Sequence, residues 1–253
     1  MKELMRSFIV AGNWKMHYGP KDAAFFLQQL KNLKFHEDHQ IIFFPPFVSW
    51  SEVSRGCLGT KWQWGFQNIY HQDKGAFTGE ISLLMAKEVG AMHILVGHSE
   101  RRHLFAESDA LLADKVAAVQ KQLLNPIFCI GESLKDREGN RTSEVVLKQI
   151  EIGLSKVDWK RSLVIAYEPV WAIGTGKVAT PEQAQDVHAL IRKKVADLAG
   201  PEKANNISIL YGGSVKPENA AELSRQPDID GFLVGGASLS AEQFTEISLR
   251  SAR

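Results

Sequence analysis

The sequence predicts one closed (β/α)8 barrel of eight parallel strands with outer helices, spanning residues 1–253 as a single domain. Three observations predict it: eight short apolar runs recur along the chain, amphipathic segments separate them, and no linker interrupts the repeat. Eight units in 253 residues average about 32 residues, enough for a strand and the helix that crosses back to a parallel neighbour. A chain of about 250 residues is the usual size for such a barrel.

The eight predicted strands are mostly continuous apolar runs, as expected for strands that are buried on both faces of a parallel sheet. They cover residues 8–12, 40–44, 61–66, 92–97, 126–131, 163–167, 207–211 and 231–235.

Helices are predicted between the strands, where apolar side chains recur at helical spacing. They include Phe26, Leu30 and Leu33, then Leu112, Val116, Val119 and Leu123, and then Val187, Leu190, Ile191, Val195 and Leu198. Residues 180–183 (Thr-Pro-Glu-Gln) combine a capping box with proline at the first helical position, and Ser240 with Gln243 forms a second box. Gly200 and Pro201 are expected to end the helix that begins after Thr180.

An open, doubly wound sheet is the alternative architecture for an unbroken strand-helix repeat. It would need a phosphate-binding turn after an early strand, and residues 11–15 lack the G-x-G-x-x-G spacing. The barrel is therefore favoured, and its active site is expected at the C-terminal ends of the strands.

Charge and composition exclude several classes of partner. Lys and Arg total 30 against 29 Asp and Glu, so we expect neither nucleic acid nor a membrane surface as a partner. The longest apolar run, residues 41–48, contains two prolines and is shorter than the roughly 20 residues that span a bilayer. We expect no secretion signal.

Cys57 and Cys129 are the two cysteines of the chain, and they lie far apart without metal-ligand spacing. This cysteine usage predicts a cytoplasmic protein without a metal site.

Two glycine-rich turns follow the seventh and eighth predicted strands, at 212–214 (Gly-Gly-Ser) and 234–236 (Val-Gly-Gly). Barrels often bind phosphate at this place through backbone N–H groups. Glycine could instead serve only the sharp turn after each strand. Two such turns side by side favour a phosphorylated substrate.

His98 and Glu168 are the predicted acid-base residues. His98 precedes residues 99–102 (Ser-Glu-Arg-Arg), which suit the first turn of a helix, and a helix N-terminus favours a neutral imidazole. Glu168 ends an apolar strand and is held extended by Pro169, so its partly desolvated carboxylate is expected to be a strong base. A structural histidine and an ion-paired glutamate are the alternatives. A glycosidase pair with Glu100 or Glu132 ranks lower, because a neutral sugar needs no phosphate site.

Lys15 follows the first strand and has three possible roles: a Schiff-base nucleophile, a fixed positive charge, or a solvated surface lysine. Its spacing does not separate them.

Residues 169–177 form a segment that is long for a loop between strand and helix and is predicted to be a lid. They are Pro169, Val170, Trp171, Ala172, Ile173, Gly174, Thr175, Gly176 and Lys177.

Several motifs, in chain order, closely resemble the triosephosphate isomerase family. They are Asn-Trp-Lys at 13–15, Gly-His-Ser-Glu-Arg-Arg at 97–102, the run from Tyr167 to Lys177, Tyr-Gly-Gly-Ser at 211–214 and Leu-Val-Gly-Gly-Ala-Ser at 233–238. Residues 75–80 are similar to that family's dimerisation loop. The resemblance covers the whole chain and implies a TIM barrel.

The resemblance also implies an activity. It is the cofactor-free, enediol(ate)-mediated interconversion of dihydroxyacetone phosphate and D-glyceraldehyde 3-phosphate, a step of glycolysis and gluconeogenesis. Glu168 would be the base, and His98 the electrophile that moves protons between the two oxygens. Lys15 and Asn13 would bind substrate and balance charge, with Trp14 beside them. Backbone N–H groups would hold the phosphate, at Gly174, Ser214, Gly235 and Gly236.

A homodimer is implied as well, in which the loop 72–80 with Phe77 and Thr78 inserts beside residues 13–16 of the partner subunit. The family commonly has Asn-Gly after residues 13–16 (Asn-Trp-Lys-Met), where this chain has His17 and Tyr18.

Two enzyme alternatives remain, an aldolase that uses Lys15 as an amine and a sugar-phosphate epimerase. A barrel that only binds triose phosphates is the non-catalytic alternative, and it would need neither an acid-base pair nor a lid.

Overall fold

A computed structural model describes residues 6–173 and 178–251, and in it eight parallel strands close into a barrel in chain order. The strands are β1 Ile9–Asn13, β2 Gln40–Phe44, β3 Gln63–Phe66, β4 His93–Val96, β5 Asn125–Ile130, β6 Val164–Tyr167, β7 Ile209–Tyr211 and β8 Gly231–Val234. β8 pairs with β1, with Ile9 opposite Gly231, and this pairing closes the barrel. The predicted closed barrel of parallel strands is therefore confirmed.

Helices surround the barrel. They are α1 Pro20–Leu30, α2 Trp50–Cys57, α3 Leu83–Glu88, α4 Ser99–His103, α5 Asp109–Lys121, α6 Leu134–Glu138, α7 Thr142–Gly153, α8 Pro181–Ala199, α9 Pro201–Asn206, α10 Pro217–Ser224 and α11 Ala241–Arg250. Short 3-10 helices lie at Phe47–Ser49, Val170–Ala172 and Gly236–Leu239.

Each strand separates two apolar layers, which explains the continuous hydrophobic runs. Side chains such as Ile42, Leu95 and Leu210 fill the inside of the barrel. Their chain neighbours, such as Phe43 and Val96, pack outward against the helices. Both layers are removed from water, so the strand residues on both faces are mostly apolar.

The predicted capping signals are confirmed at two helices. Thr180 Oγ1 accepts a hydrogen bond from the Gln183 N–H, and Gln183 Oε1 accepts one from the Thr180 N–H. At α11, Ser240 Oγ accepts from the Gln243 N–H, which is one half of the predicted box. Two helices are shorter than their patterns predict. α1 ends at Leu30, so Leu33 of its pattern lies beyond the helix. α5 ends at Lys121, and Leu123 takes a left-handed φ of 63° with its side chain mostly exposed. The apolar spacing that predicts this helix therefore extends past the last helical residue.

The parallel arrangement brings all the strand C-termini to one rim of the barrel. Residues far apart in the chain meet there, because each strand ends at the same level. Within residues 6–173 and 178–251 no helix combines the length and apolar character needed to cross a membrane.

Candidate active site

A cavity of about 470 Å³ opens at the C-terminal rim, between the ends of the strands and the loops that follow them. Among its lining residues are most of the predicted site residues: Asn13, Trp14, Lys15, His98, Glu168, Ile173, Ser214, Gly235 and Gly236. The barrel thus brings together residues from both ends of the chain, from Asn13 to Gln243.

Glu168, directly after β6, is buried in this cavity. Its Oε1 lies 3.0 Å from His98 Nε2, and its Oε2 accepts a 2.8 Å hydrogen bond from the Ser99 N–H. Burial alone would raise the pKa of Glu168, but His98, the Ser99 N–H and Lys15 together hold the pKa below its usual range. The carboxylate is therefore ionised, and while these partners stay in place it is a weaker base than its burial alone predicts.

His98 caps the N-terminus of α4, as the polar residues after it predict. Its Nδ1 accepts a hydrogen bond of 3.2 Å from the Glu100 N–H, so the proton of the neutral ring sits on Nε2 and faces Glu168. Burial would lower the pKa of His98, but the Glu168 carboxylate raises it overall. The helix N-terminus thus favours a lower pKa of the imidazole, whereas the carboxylate raises it. The prediction from the sequence considered only the helix.

Two glycines leave the space that Glu168 occupies. A Cβ at Gly212 would lie 2.9 Å from Glu168 Cγ, and one at Gly131 would lie 1.7 Å from the Glu168 carbonyl oxygen. Side chains at these positions would displace the carboxylate or the strand that carries it. Sequence reasoning assigns Gly212 to a strand-end turn and Gly131 to the end of a predicted strand, because it cannot show which atom each one approaches.

Lys15 lines the same cavity. Its backbone is in the left-handed conformation, with a φ of 51°. Asn13 Oδ1 accepts from its N–H at 3.1 Å, and Gln67 donates to its carbonyl at 2.9 Å. Its ammonium group lies 2.6 Å from Glu100 Oε1. Several contacts therefore fix this lysine over the cavity, which does not fit a freely solvated surface side chain. The sequence does not indicate the hydrogen bond from Gln67.

The two glycine turns border the same cavity as Lys15. A Cβ at Gly236 would meet no atom within 4 Å, so this position faces open space. A Cβ at Gly235 would lie 3.7 Å from Lys15 Cε. An anion held at the Gly235–Gly236 turn would therefore lie beside the lysine side chain.

Glu132 anchors the first part of the predicted lid. The fully buried carboxylate accepts hydrogen bonds from Tyr167 Oη at 3.0 Å and Trp171 Nε1 at 2.9 Å. Glu132 is not among the residues that line the cavity of Glu168, so the structure does not place the two carboxylates around one substrate. Of the predicted lid, Pro169–Ile173 are described, whereas Gly174, Thr175, Gly176 and Lys177 lie outside the described residues.

A second cavity of about 220 Å³ adjoins the first on the side of Lys15 and His98. Its outer wall includes Met16, which is almost fully exposed, and Phe105. Phe77, in the predicted dimer loop, packs on Tyr70 with a ring separation of 4.4 Å and keeps 40% of its surface exposed. Met16 and Phe105 are the apolar members of a lining that is otherwise polar or charged.

In the ranges that the structure describes, no group of three or more His, Cys, Asp or Glu side chains is placed to hold a metal ion. The absence of a cofactor stays a prediction.

A closed (β/α)8 barrel that gathers a buried carboxylate, an imidazole and a fixed lysine at its C-terminal rim belongs to the class of barrel enzymes. Comparison with known proteins identifies the family. The sequence model of triosephosphate isomerase matches residues 8–250. The chain belongs to the triosephosphate isomerase family and is an isomerase.

Individual relatives are similar over nearly the whole chain. The triosephosphate isomerase of Bdellovibrio bacteriovorus is 50% identical over 240 residues, which cover 95% of this chain and 98% of that protein. That of Thiobacillus denitrificans is 48% identical over 251 residues, covering 98% and 100%. That of Caldanaerobacter subterraneus subsp. tengcongensis is 47% identical over 245 residues, covering 96% and 99%.

Proposed function

We propose that the chain interconverts dihydroxyacetone phosphate and D-glyceraldehyde 3-phosphate through an enediol(ate), without a cofactor. Glu168 acts as the base, and His98 acts as the electrophile and proton shuttle. The observation that carries the proposal is the 3.0 Å pair of Glu168 and His98 beside a glycine-lined cavity that also contains Lys15. The family membership supplies the substrate class. We place the activity in the cytoplasm, as a step of glycolysis and gluconeogenesis.

In this proposal the phosphate is held by backbone N–H groups of Ser214, Gly235 and Gly236, and by Gly174 of the lid. Asn13 and Trp14 complete the substrate-binding side, next to Lys15. The ammonium group then balances negative charge that develops on the substrate oxygens.

Proton transfer requires the substrate to replace the contact between Glu168 and His98. The Nε2–H can donate to one acceptor at a time, so it must leave the carboxylate to bond to the substrate carbonyl. Glu168 then removes the proton from the neighbouring carbon, and His98 moves protons between the two oxygens. Losing the bond from His98 also makes the carboxylate a stronger base at the moment when it is needed.

The proposal is tested by incubating the protein with D-glyceraldehyde 3-phosphate in heavy water. Proton transfer through an enediol places solvent deuterium on the terminal carbon of the dihydroxyacetone phosphate that forms. If isomerised product appears without deuterium, the enediol route is wrong.

The aldolase alternative predicts a different result. An amine that forms a Schiff base with the carbonyl is trapped by borohydride, which leaves a covalent adduct on Lys15. We expect no adduct, because the lysine ammonium group is already paired with Glu100 at 2.6 Å. An adduct mapped to Lys15 would favour the aldolase.

Gly236→Val is expected to weaken binding of inorganic phosphate by about tenfold or more, which corresponds to about 1.4 kcal/mol or more. The Cβ of the new side chain would enter open space at the glycine turn, since it meets no atom within 4 Å. Gly19→Val is the matched control, because a Cβ there also meets nothing within 4 Å and the position lies outside the cavity. Calorimetric titration with phosphate measures the effect. Equal affinities in the two variants would argue against a phosphate site at Gly236.

We also propose that the chain works as a homodimer. The second cavity has Lys15 and His98 in its mostly polar lining, and Met16 and Phe105 add two apolar side chains to it. The loop 72–80 of a second copy, with Phe77 and Thr78, supplies an apolar group to fill it. Such a loop would shield the neighbouring Lys15 and His98 from water, which strengthens their electrostatic action on substrate.

Phe77→Glu is therefore expected to produce a monomer and to lower activity by about tenfold or more, since a charge buried in an interface costs several kcal/mol. Phe25→Glu introduces the same charge at an exposed phenylalanine of α1 and serves as the control. Sedimentation and turnover are measured on the same samples. A monomeric Phe77→Glu variant with full activity would separate assembly from catalysis.

A further inference from the structure

Tyr18 occupies an unusual position in the loop that follows β1. Its backbone is left-handed, with a φ of 66°, which is a conformation that residues with a side chain rarely adopt. Lys15, three residues earlier, is left-handed as well. A loop with two such residues is held in place by contacts elsewhere, because its own backbone preferences do not favour it.

Contacts of the Tyr18 side chain supply part of that support. The hydroxyl donates a hydrogen bond to the Leu239 carbonyl oxygen, in the 3-10 helix Gly236–Leu239. The ring packs edge-on against Trp14, with centroids 5.2 Å apart, and also contacts Phe26. Ser49 holds the backbone by donating to the Tyr18 carbonyl at 2.7 Å.

Trp14 makes a parallel contact to the same 3-10 helix. Its Nε1 donates to the Ser238 carbonyl at 3.1 Å. Trp14 and Tyr18 therefore bind consecutive carbonyls, one from each side of Lys15 in the sequence. The loop that carries the lysine is attached at both ends to the helix that begins at Gly236.

This attachment connects two parts of the proposed substrate site. One part is the Lys15 ammonium group, and the other is the glycine turn at Gly235 and Gly236. We infer that Tyr18 is a positioning residue, which clamps the Lys15 loop to the phosphate-binding turn through its hydroxyl and ring. The inference rests on the proposed function, since that proposal assigns the phosphate to this turn.

Two further observations fit this role. Burial, together with the nearby Asp22 and Glu242 carboxylates, raises the pKa of Tyr18, so the hydroxyl stays protonated and able to donate. On the other side of the loop, Gln67 donates to the Lys15 carbonyl at 2.9 Å. Hydrogen bonds therefore hold the Lys15 loop on two sides, from Tyr18 on one side and from Gln67 on the other.

Tyr18→Phe tests the inference, because it removes the hydroxyl and keeps the ring against Trp14 and Phe26. The expected result is a three- to tenfold rise in the dissociation constant of inorganic phosphate, roughly the value of one hydrogen bond. KM for D-glyceraldehyde 3-phosphate is expected to rise by a similar factor, with a smaller change in kcat. Thr245→Val is the matched control, since it removes a buried hydroxyl that bonds to the Ala241 carbonyl in α11.

The control separates positioning from general stability. Both variants lose one hydroxyl-to-carbonyl bond, so both are expected to unfold at a slightly lower temperature, but only Tyr18→Phe should bind phosphate more weakly. Parent-like phosphate affinity in Tyr18→Phe, or equal weakening in Thr245→Val, would overturn the inference. Phosphate titration needs no turnover, so this result stands apart from the heavy-water experiment.

Tyr18→Gly distinguishes the clamp from the backbone conformation. Glycine adopts the left-handed φ without strain but lacks both the hydroxyl and the ring. If the clamp positions Lys15, phosphate binding is weakened at least as much as in Tyr18→Phe. Parent-like affinity in Tyr18→Gly would show that the loop conformation alone positions the lysine.

Discussion

Replacing Glu168 by glutamine is expected to lower turnover by about 10²–10⁴-fold, the usual effect of a positioned acid-base group. Glutamine keeps the size of the side chain and can still accept the hydrogen bond from the Ser99 N–H. It cannot take a proton from carbon. Binding of inorganic phosphate should stay close to that of the parent, because the glycine turn is a separate part of the cavity.

Steady-state turnover and phosphate titration on the same preparation measure the two effects. Glu246→Gln is the control, since it makes the same chemical change at an exposed glutamate of α11. If Glu168→Gln retains most of the parent turnover, another group is the base.

Replacing His98 by glutamine is the second large effect, again about 10²–10⁴-fold in turnover. The amide can donate a hydrogen bond, but it cannot move protons between two oxygens. A loss smaller than tenfold would limit His98 to a structural role at the start of α4.

The same variant tests the electrostatic coupling to Glu168. His98 is one of the groups that keep the pKa of Glu168 low against the effect of burial. Without it the pKa of Glu168 rises, so on acidification the remaining activity is lost at a higher pH than in the parent. The acidic limb of the kcat/KM profile measures this shift. A limb that moves to lower pH, or does not move, would show that His98 does not support the carboxylate.

The barrel could be predicted from the sequence because its strands are buried on both faces. Continuous apolar runs at regular intervals left few alternatives, and capping residues such as Thr180 identified where helices begin. Strand ends were also predictable, since the rim of a parallel barrel gathers them. For this reason Asn13, Lys15, His98 and Glu168 could be named before their distances were known.

Contacts within the rim could not be predicted in the same way. Glu132 and Glu168 both follow strands, and both are buried. The Glu132 carboxylate accepts hydrogen bonds from Tyr167 and Trp171, whereas Glu168 lines the cavity. The left-handed backbone at Lys15 and Tyr18 likewise has no signal in residues that normally avoid it. These features depend on which neighbours meet in three dimensions, and spacing along the chain does not encode that.

The glycines of the rim differ in whether the surrounding atoms leave room for a side chain. Any side chain at Gly131 would overlap the backbone of Glu168, and one at Gly212 would press on its Cγ. Gly236 carries no such restriction. A mutant library intended to change how tightly the cavity holds a phosphate group should therefore vary position 236 and keep 131 and 212 as glycine. Affinity for the phosphate group could then change at one side of the cavity while the carboxylate on the other side keeps its place.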